Sequence, residues 1–218
     1  MSPQLLTHVQ RNDLEAIRQY LTSHKLGLNR YRVKVGDGQS NCLGIVSKRS
    51  FAPDLSRQSW LHPRLHYLLM QFAEKYVSPH ITFTSIQVNH NYPCKPHKDT
   101  GNLGDSYIVA FGDYTGGQLC IEDTDFDIAY RGLLFNGSES LHWTRDWVGE
   151  RFSIVFHTIK PKFPMIKKLS DYEAVFQDGV WKIKYINEEG QIDYLFGKNG
   201  LPHPLKGRTK TIESDTSV

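Results

Sequence analysis

The run Asn89-His90-Asn91-Tyr92-Pro93-Cys94-Lys95-Pro96-His97-Lys98-Asp99 concentrates side chains that bind metals or donate hydrogen bonds. His97 and Asp99 are two apart, and in a β-strand such residues project to one face. One imidazole and one carboxylate can therefore aim at a single point. A mononuclear ferrous site needs two neutral imidazoles and a carboxylate on one octahedral face, which leaves three positions for other ligands. The second imidazole must come from elsewhere. His142 is the best-placed candidate, in a β-rich run past the turn signal Asn136-Gly137. Taken singly, His-x-Asp is a common accident of surface loops, and His142 beside Trp143 reads more readily as a satisfied half-buried histidine.

Order and spacing change that balance. Nine positions beyond His142 (151 − 142) stands Arg151, in Gly149-Glu150-Arg151-Phe152-Ser153-Ile154-Val155-Phe156. Arg151 and Ser153 share one strand face, while Phe152 and Ile154 share the other. An arginine projecting from an apolar strand into a barrel needs an anion, because a buried unpaired charge is very costly. Its planar fork pairs a carboxylate bidentately, and the Ser153 hydroxyl can donate to the same oxygens. The competing reading is an internal ion pair to Glu150, Asp146 or Asp113. Two imidazoles and one carboxylate neutralise half of a 2+ ion, so a dianionic chelator would complete the charge balance.

These residues need a scaffold of short strands, and the sequence supplies one. Asp13 to His24 spaces Leu14, Ile17, Tyr20 and Leu21 as an amphipathic helix behind a capping-type Asp13. His62 to Tyr76 is a second helix, with Pro63 tolerated in its first turn. Tyr31 to Val35 and Asn41 to Val46 read as strands around Gly36-Asp37-Gly38. From Ile81 the texture is β: Ile81 to Val88, Ser106 to Gly112, Gln118 to Glu122, Asp127 to Phe135, Leu141 to Trp147 and Arg151 to Ile159. Turn signals at Thr100-Gly101-Asn102, Thr115-Gly116-Gly117, Asn136-Gly137 and Val148-Gly149 separate them. The pattern predicts a mainly β (α+β) jelly roll, with the two helices buttressing one sheet. After the linker-like Lys160-Pro161-Lys162-Phe163-Pro164, Val180 to Ile186 and Gln191 to Phe196 predict a hairpin, followed by a tail expected to be disordered. The expected division is 1–160 for the domain, with its core over 81–159, and 161–218 for a C-terminal extension.

Together, His97-x-Asp99, His142 and Arg151-x-Ser153 resemble the 2-oxoglutarate/Fe(II) oxygenase superfamily in order, spacing and strand context, over roughly 81–159. The strings Phe111-Gly112-Asp113-Tyr114-Thr115-Gly116-Gly117 and Gly149-Glu150-Arg151-Phe152-Ser153, with the small core, are most similar to the TET and J-base-binding-protein branch. That branch oxidises the methyl group of 5-methylcytosine or thymine in nucleic acid. The resemblance implies a double-stranded β-helix (cupin-like) dioxygenase. Its catalytic metal ligands would be His97, Asp99 and His142, holding Fe(II), and Arg151 would partner the distal carboxylate of 2-oxoglutarate. It further implies O2 as co-substrate, decarboxylation of 2-oxoglutarate to succinate, and a methylated base in DNA or RNA as substrate. The alternatives are a hydroxylase of a protein side chain or small molecule, and a non-catalytic jelly-roll binder. The branch often carries an arginine upstream of His-x-Asp. Here the region offers Asn89, Asn91 and Tyr92 instead as candidates for the other end of the co-substrate.

Other residues carry smaller expectations. Thr100 and Asn102 read as turn formers that could face substrate. His90 and His157 read as core histidines with a possible supporting role at the site. Trp143 and Trp147 read as core before base-stacking residues. Lys206, Arg208 and Lys210 read as a solvated basic tail.

The bulk properties set outer bounds. The chain has 218 residues, 39% hydrophobic and 22% charged, with a net charge of +3 and a pI near 8.7. That permits a nucleic-acid partner without demanding one. Three cysteines (Cys42, Cys94, Cys120) without CxxC spacing suggest neither a disulfide framework nor a zinc knuckle. No run reaches bilayer-spanning length and no signal pattern opens the chain, so a soluble intracellular protein without a membrane partner is expected. Nothing in the sequence speaks to oligomeric state.

Overall fold

The first helix starts one and a half turns before its apolar spacing suggests, because its cap is built from polar residues outside the periodic stretch. In the computed structural model, which describes residues 2–24, 26, 35–36, 38–48 and 50–195, Thr7 and Gln10 form a reciprocal capping box at that end. Asp13, read from sequence as the cap, instead ties two helices together: it accepts from the Tyr76 hydroxyl at 2.8 Å and from Lys75 Nζ at 3.3 Å.

The elements run β1 (Gln4–Leu5), α1 (His8–Ser23), β2 (Gln39–Val46), β3 (Asp54–Leu55), α2 (Arg57–Leu61), α3 (Pro63–Tyr76), β4 (Ser85–His90) and β5 (Asn102–Gly116). They continue with β6 (Leu119–Ile121), β7 (Thr124–Phe126), β8 (Arg131–Phe135), β9 (His142–Thr144), β10 (Trp147–Ile159), β11 (Tyr172–Gln177), β12 (Val180–Ile186) and β13 (Ile192–Leu195). A seven-stranded antiparallel sheet has the order β1-β8-β5-β10-β4-β2-β3, and a smaller sheet has the order β7-β6-β9. Ile108 and Ala110 of β5, Leu119 and Ile121 of β6 and Leu133 and Phe135 of β8 form one apolar cluster between them. This is the jelly roll that the spacing of short strands predicts, with helices on the far face of the large sheet.

β10 shows why the register is secure. Phe152, Ile154 and Phe156 are fully buried in a cluster with Leu14 and Ile17 of α1 and Leu65, Leu69 and Phe72 of α3. Each such side chain contributes about 1.5–3 kcal/mol by burial. The alternate residues Arg151, Ser153, Val155 and His157 face the interior between the sheets. A one-residue slip would turn the charged and polar set into the helix layer.

Several expected boundaries differ. Val148-Gly149 is no turn: both residues lie in β10, paired with Thr115 and Tyr114 of β5. Gly149 (φ 109°) and Gly112 (φ 120°) allow the two strands a close approach, because a Cβ at either would lie 2.1 Å from Asp113 O or 2.3 Å from Glu150 O. The run expected over Asp127 to Phe135 is strand only from Arg131 onward, as β8; β7 precedes it, and the residues between carry one isolated bridge at Ala129 and a turn at Tyr130. α2 and β11 were not anticipated. The strand expected over Tyr31 to Val35 lies outside the described residues except for Val35, as does the tail with Lys206, Arg208 and Lys210.

The C-terminal strands form a third sheet, β11-β12-β13. Its Tyr172, Ile183 and Tyr185, with Leu169 just before it, share a buried cluster with Ile45, Leu55, Trp60 and Ile159. The Tyr172 hydroxyl donates to Asp54 Oδ1 at 2.6 Å. Among the described residues, no helix is long and apolar enough to cross a membrane.

Candidate active site

The three expected ligands meet inside the jelly roll. His97 and His142 form an antiparallel bridge: His97 N–H donates to His142 O at 3.1 Å, and His142 N–H donates to His97 O at 3.0 Å. The ring centroids are 4.3 Å apart. Asp99 Oδ1 lies 3.5 Å from His97 Nε2, and Oδ2 lies 3.7 Å from His142 Nε2. The three ligand atoms all lie within 4.8 Å of one another. Metal bonds of about 2 Å to nitrogen and oxygen place facial ligands about 3 Å apart, so only a small closure is needed.

The main chain also sets the tautomer of the rings. His97 Nδ1 is 2.7 Å from Lys95 O, and His142 Nδ1 is 3.0 Å from Ser140 O, in each case the carbonyl two residues back. A carbonyl only accepts, so both Nδ1 atoms carry the proton and both Nε2 atoms present a lone pair. Asp99 N–H donates to Gly137 O at 2.8 Å and Thr144 N–H to Cys94 O at 3.1 Å, which laces the 94–99 loop to the strand bearing His142.

Arg151 opens on the same cavity and is 3% exposed. Its guanidinium carbon lies 5.5 Å from the centre of the Tyr114 ring and 5.6 Å from that of Trp147. The internal ion pair weighed above is absent among the described residues. Asp113 and Glu150 instead face Arg18, at 2.5 Å and 3.7 Å, and His90 lies 3.2 Å from Glu150. Arg151 Nε is buried with no hydrogen-bond partner. Burial draws the guanidinium pKa below its ordinary value, a pull opposed by Tyr114 and Cys94. It stays a cation. Gly117 (φ 66°) makes room for it, since a Cβ there would lie 2.9 Å from Arg151 Nε and 3.2 Å from Trp147 Cβ. The result is a buried guanidinium with aromatic walls.

Ser153, Asn89 and Tyr92 line the cavity too. Asn91 does not, which corrects the expectation placed on it. Its backbone is left-handed (φ 46°), its Oδ1 accepts from Arg151 N–H at 2.8 Å, and its own N–H donates to Arg151 O at 2.8 Å. Asn91 thus clamps the main chain of the arginine, and its side-chain oxygen is engaged in that clamp. His90 stacks on Phe152, with centroids 4.3 Å apart, away from the site. His157 and Asn102 reach the cavity, whereas Thr100 does not. Trp147 walls Arg151, and Trp143 carries the Arg145 guanidinium at 5.2 Å.

Sequence reasoning passed over Gln87, Cys94 and Thr144, which also line the cavity. The β4–β10 register puts Gln87 opposite Val155 and Asn89 opposite Ser153. Extending the alternation from Ser153 would have found Gln87. Nothing in the sequence marks Cys94.

No family model matches the sequence, and no curated protein matches it. Solved structures are similar to it. The structure described as NgTET1 in complex with 5mC DNA gives a TM-score of 0.50 at 16% identity, covering 76% of this chain and 75% of that one. A Pseudomonas putida prolyl-4-hydroxylase gives 0.45 at 15% identity, covering 73% and 92%. OsALKBH1 gives 0.45 at 12%, covering 71% and 93%. The likeness to NgTET1 is one of fold.

Proposed function

We propose that this protein is an Fe(II)- and 2-oxoglutarate-dependent oxygenase that oxidises the methyl group of a methylated base, 5-methylcytosine or thymine, in nucleic acid. One observation carries the oxygenase reading. A guanidinium buried without a carboxylate partner among the described residues opens on the same cavity as a His-Asp-His cluster whose Nε2 atoms converge. A buried cation of that kind is stable only if an anion completes it.

The donor set fits both groups. His97 Nε2, His142 Nε2 and the Asp99 carboxylate would hold the iron, leaving half of an octahedron for other ligands. When bound, ferrous iron and 2-oxoglutarate supply oxygen activation coupled to loss of CO2, leaving succinate and an oxidising equivalent for a C–H bond. The protein's share is placement. The Arg151 fork grips the far carboxylate, and Ser153 adds a hydroxyl from the next inward position of the same strand. Tyr114 and Trp147 keep water from that end. Ile108, Leu119, Phe135 and Val155 give the lining an apolar part, which strengthens the polar contacts beside it.

The nucleic-acid reading draws on charge around the metal ligands. Exposed Lys95 and Lys98 flank His97, and exposed Lys160 donates its N–H to Gly101 O at 2.6 Å, two residues from Asp99, with exposed Lys162 following. No ion pair with a described residue engages any of the four. Unpaired lysines beside a cavity suit a phosphate backbone. NgTET1, which shares the fold, is described in complex with 5mC DNA. A methyl group inside a duplex would have to be flipped out to reach such a cavity.

The test is incubation with Fe(II), 2-oxoglutarate and methylated DNA or RNA, following succinate and modified nucleosides by mass spectrometry. Succinate with a new oxidised nucleoside is expected. No succinate under any condition would remove the oxygenase reading. Succinate without nucleoside change would transfer the substrate to a protein side chain or a small molecule.

A further inference from the structure

Four buried side chains on three adjacent strands form a hydrogen-bond chain that runs one way into the cavity. Gln87 Nε2 donates to Ser40 Oγ at 2.8 Å, Ser40 Oγ donates to Asn89 Oδ1 at 2.6 Å, and Asn89 Nδ2 donates to Ser153 Oγ at 3.2 Å. The register of β2, β4 and β10 sets Ser40 opposite Asn89, and Asn89 opposite Ser153. None of the four is more than 7% exposed.

A serine hydroxyl has one proton to give. With the Gln87 amide donating to its oxygen, Ser40 directs that proton to Asn89. This decides which end of the Asn89 amide faces Ser153. The amide N–H then occupies the Ser153 oxygen, so the Ser153 proton is left for an acceptor in the cavity, beside Arg151. In the reversed chain, Ser153 would donate to Asn89 and turn only lone pairs toward an incoming carboxylate. Bonds in such a chain also polarise one another, so its direction matters beyond its length.

We propose that Ser40 and Gln87 are positioning residues for the anion site: they set the direction of the chain, so that Ser153 meets the far carboxylate of the co-substrate as a donor. The proposal rests on the reading of Arg151 and Ser153 as the holders of that carboxylate. Neither Ser40 nor Gln87 needs to touch the ligand to act.

The experiment is calorimetric titration of 2-oxoglutarate into Mn(II)-loaded protein without oxygen, for the wild type, Ser40→Ala, Ser153→Ala and the double variant. Removing a hydroxyl donated to a charged group weakens binding by roughly tenfold or more, and losing the neutral bond behind it by about fivefold. Ser153→Ala should therefore weaken binding at least tenfold and Ser40→Ala about fivefold, with Mn(II) affinity unchanged. The double variant should bind no worse than Ser153→Ala, because Ser40 acts only through Ser153. Wild-type affinity in Ser40→Ala, or losses that multiply in the double variant, would overturn the proposal while leaving the oxygenase reading intact. Failure of the wild type to bind 2-oxoglutarate would overturn that reading, and this proposal with it. Should Ser40→Ala not fold, Gln87→Met removes the head of the chain at similar side-chain length, and the same cycle with Ser153→Ala decides the question.

Discussion

His97 and His142, forty-five positions apart (142 − 97), each donate a main-chain N–H to the other's carbonyl. The placement of the two imidazoles side by side is thus a property of backbone pairing. Asp99→Asn keeps the shape of the third ligand and removes its charge. The variant should stay folded, with a melting temperature within about 2 °C of wild type, a surface-scale change. It should also lose Mn(II) binding by calorimetry and all succinate formation. Retained metal affinity would show that the cluster is not the centre.

Arg151 sets stability against binding. Arg151→Lys should raise the KM for 2-oxoglutarate by roughly tenfold or more with a smaller change in kcat, since an ammonium cannot reproduce the fork. Arg151→Met should abolish binding. It should also make the ligand-free protein more stable by about 1 kcal/mol or more, because a buried charge without a partner is removed. In the wild type, 2-oxoglutarate at about 100 times its Kd should add about 2.7 kcal/mol, or roughly 5–10 °C. A ligand-free Arg151→Met protein that melts below wild type would mean the cation is already compensated.

Gly117 makes a narrower claim about the same group. Gly117→Ala forces a side chain into a left-handed position and places a methyl group 2.9 Å from Arg151 Nε. The backbone cost is about 1 kcal/mol. The functional cost should be larger: a rise in the KM for 2-oxoglutarate approaching that of Arg151→Lys, with Mn(II) binding intact. Unchanged KM would show that the guanidinium has room to move.

His66 provides a pH test remote from the cavity. It is fully buried in α3, neither ring nitrogen has a partner, and burial lowers its pKa from 6.5 to about 4. The folded state therefore resists a proton that the unfolded state accepts below pH 6.5. The stabilisation is complete above 6.5 and is lost as pH falls toward 4, by about 2.5 kcal/mol between pH 7.5 and 4.5. Denaturant unfolding across that range should show this slope in the wild type and a shallower one in His66→Leu. Equal slopes would mean that His66 gains a partner on protonation.

The convergence of His97, Asp99 and His142, and the inward face shared by Arg151 and Ser153, were legible because such chemistry demands particular residue types at strand spacing, and β pleating then decides which side chains converge. The role of Asn91 was not legible. A left-handed residue that clamps the next strand leaves no periodic trace, and an asparagine near a binding motif reads as a ligand contact. Val148-Gly149 misled in the same way, since a glycine that lets two strands approach looks like one that ends a strand. α2 is too short to show a helical stripe, and the cap of α1 precedes its apolar residues. Ser40 and Gln87 acquire meaning only from the register of three strands, which is a tertiary property.

Trp60 is 1% exposed, and part of its cover comes from Leu169, Tyr172, Ile183 and Tyr185. Trimming the chain after Lys160 would bare that indole together with Ile45, Leu55 and Ile159 as one greasy patch. A fragment of that kind would keep His97, Asp99, His142 and Arg151 and still be prone to clump, so the C-terminal strands govern whether the rest of the chain can be handled in solution at all.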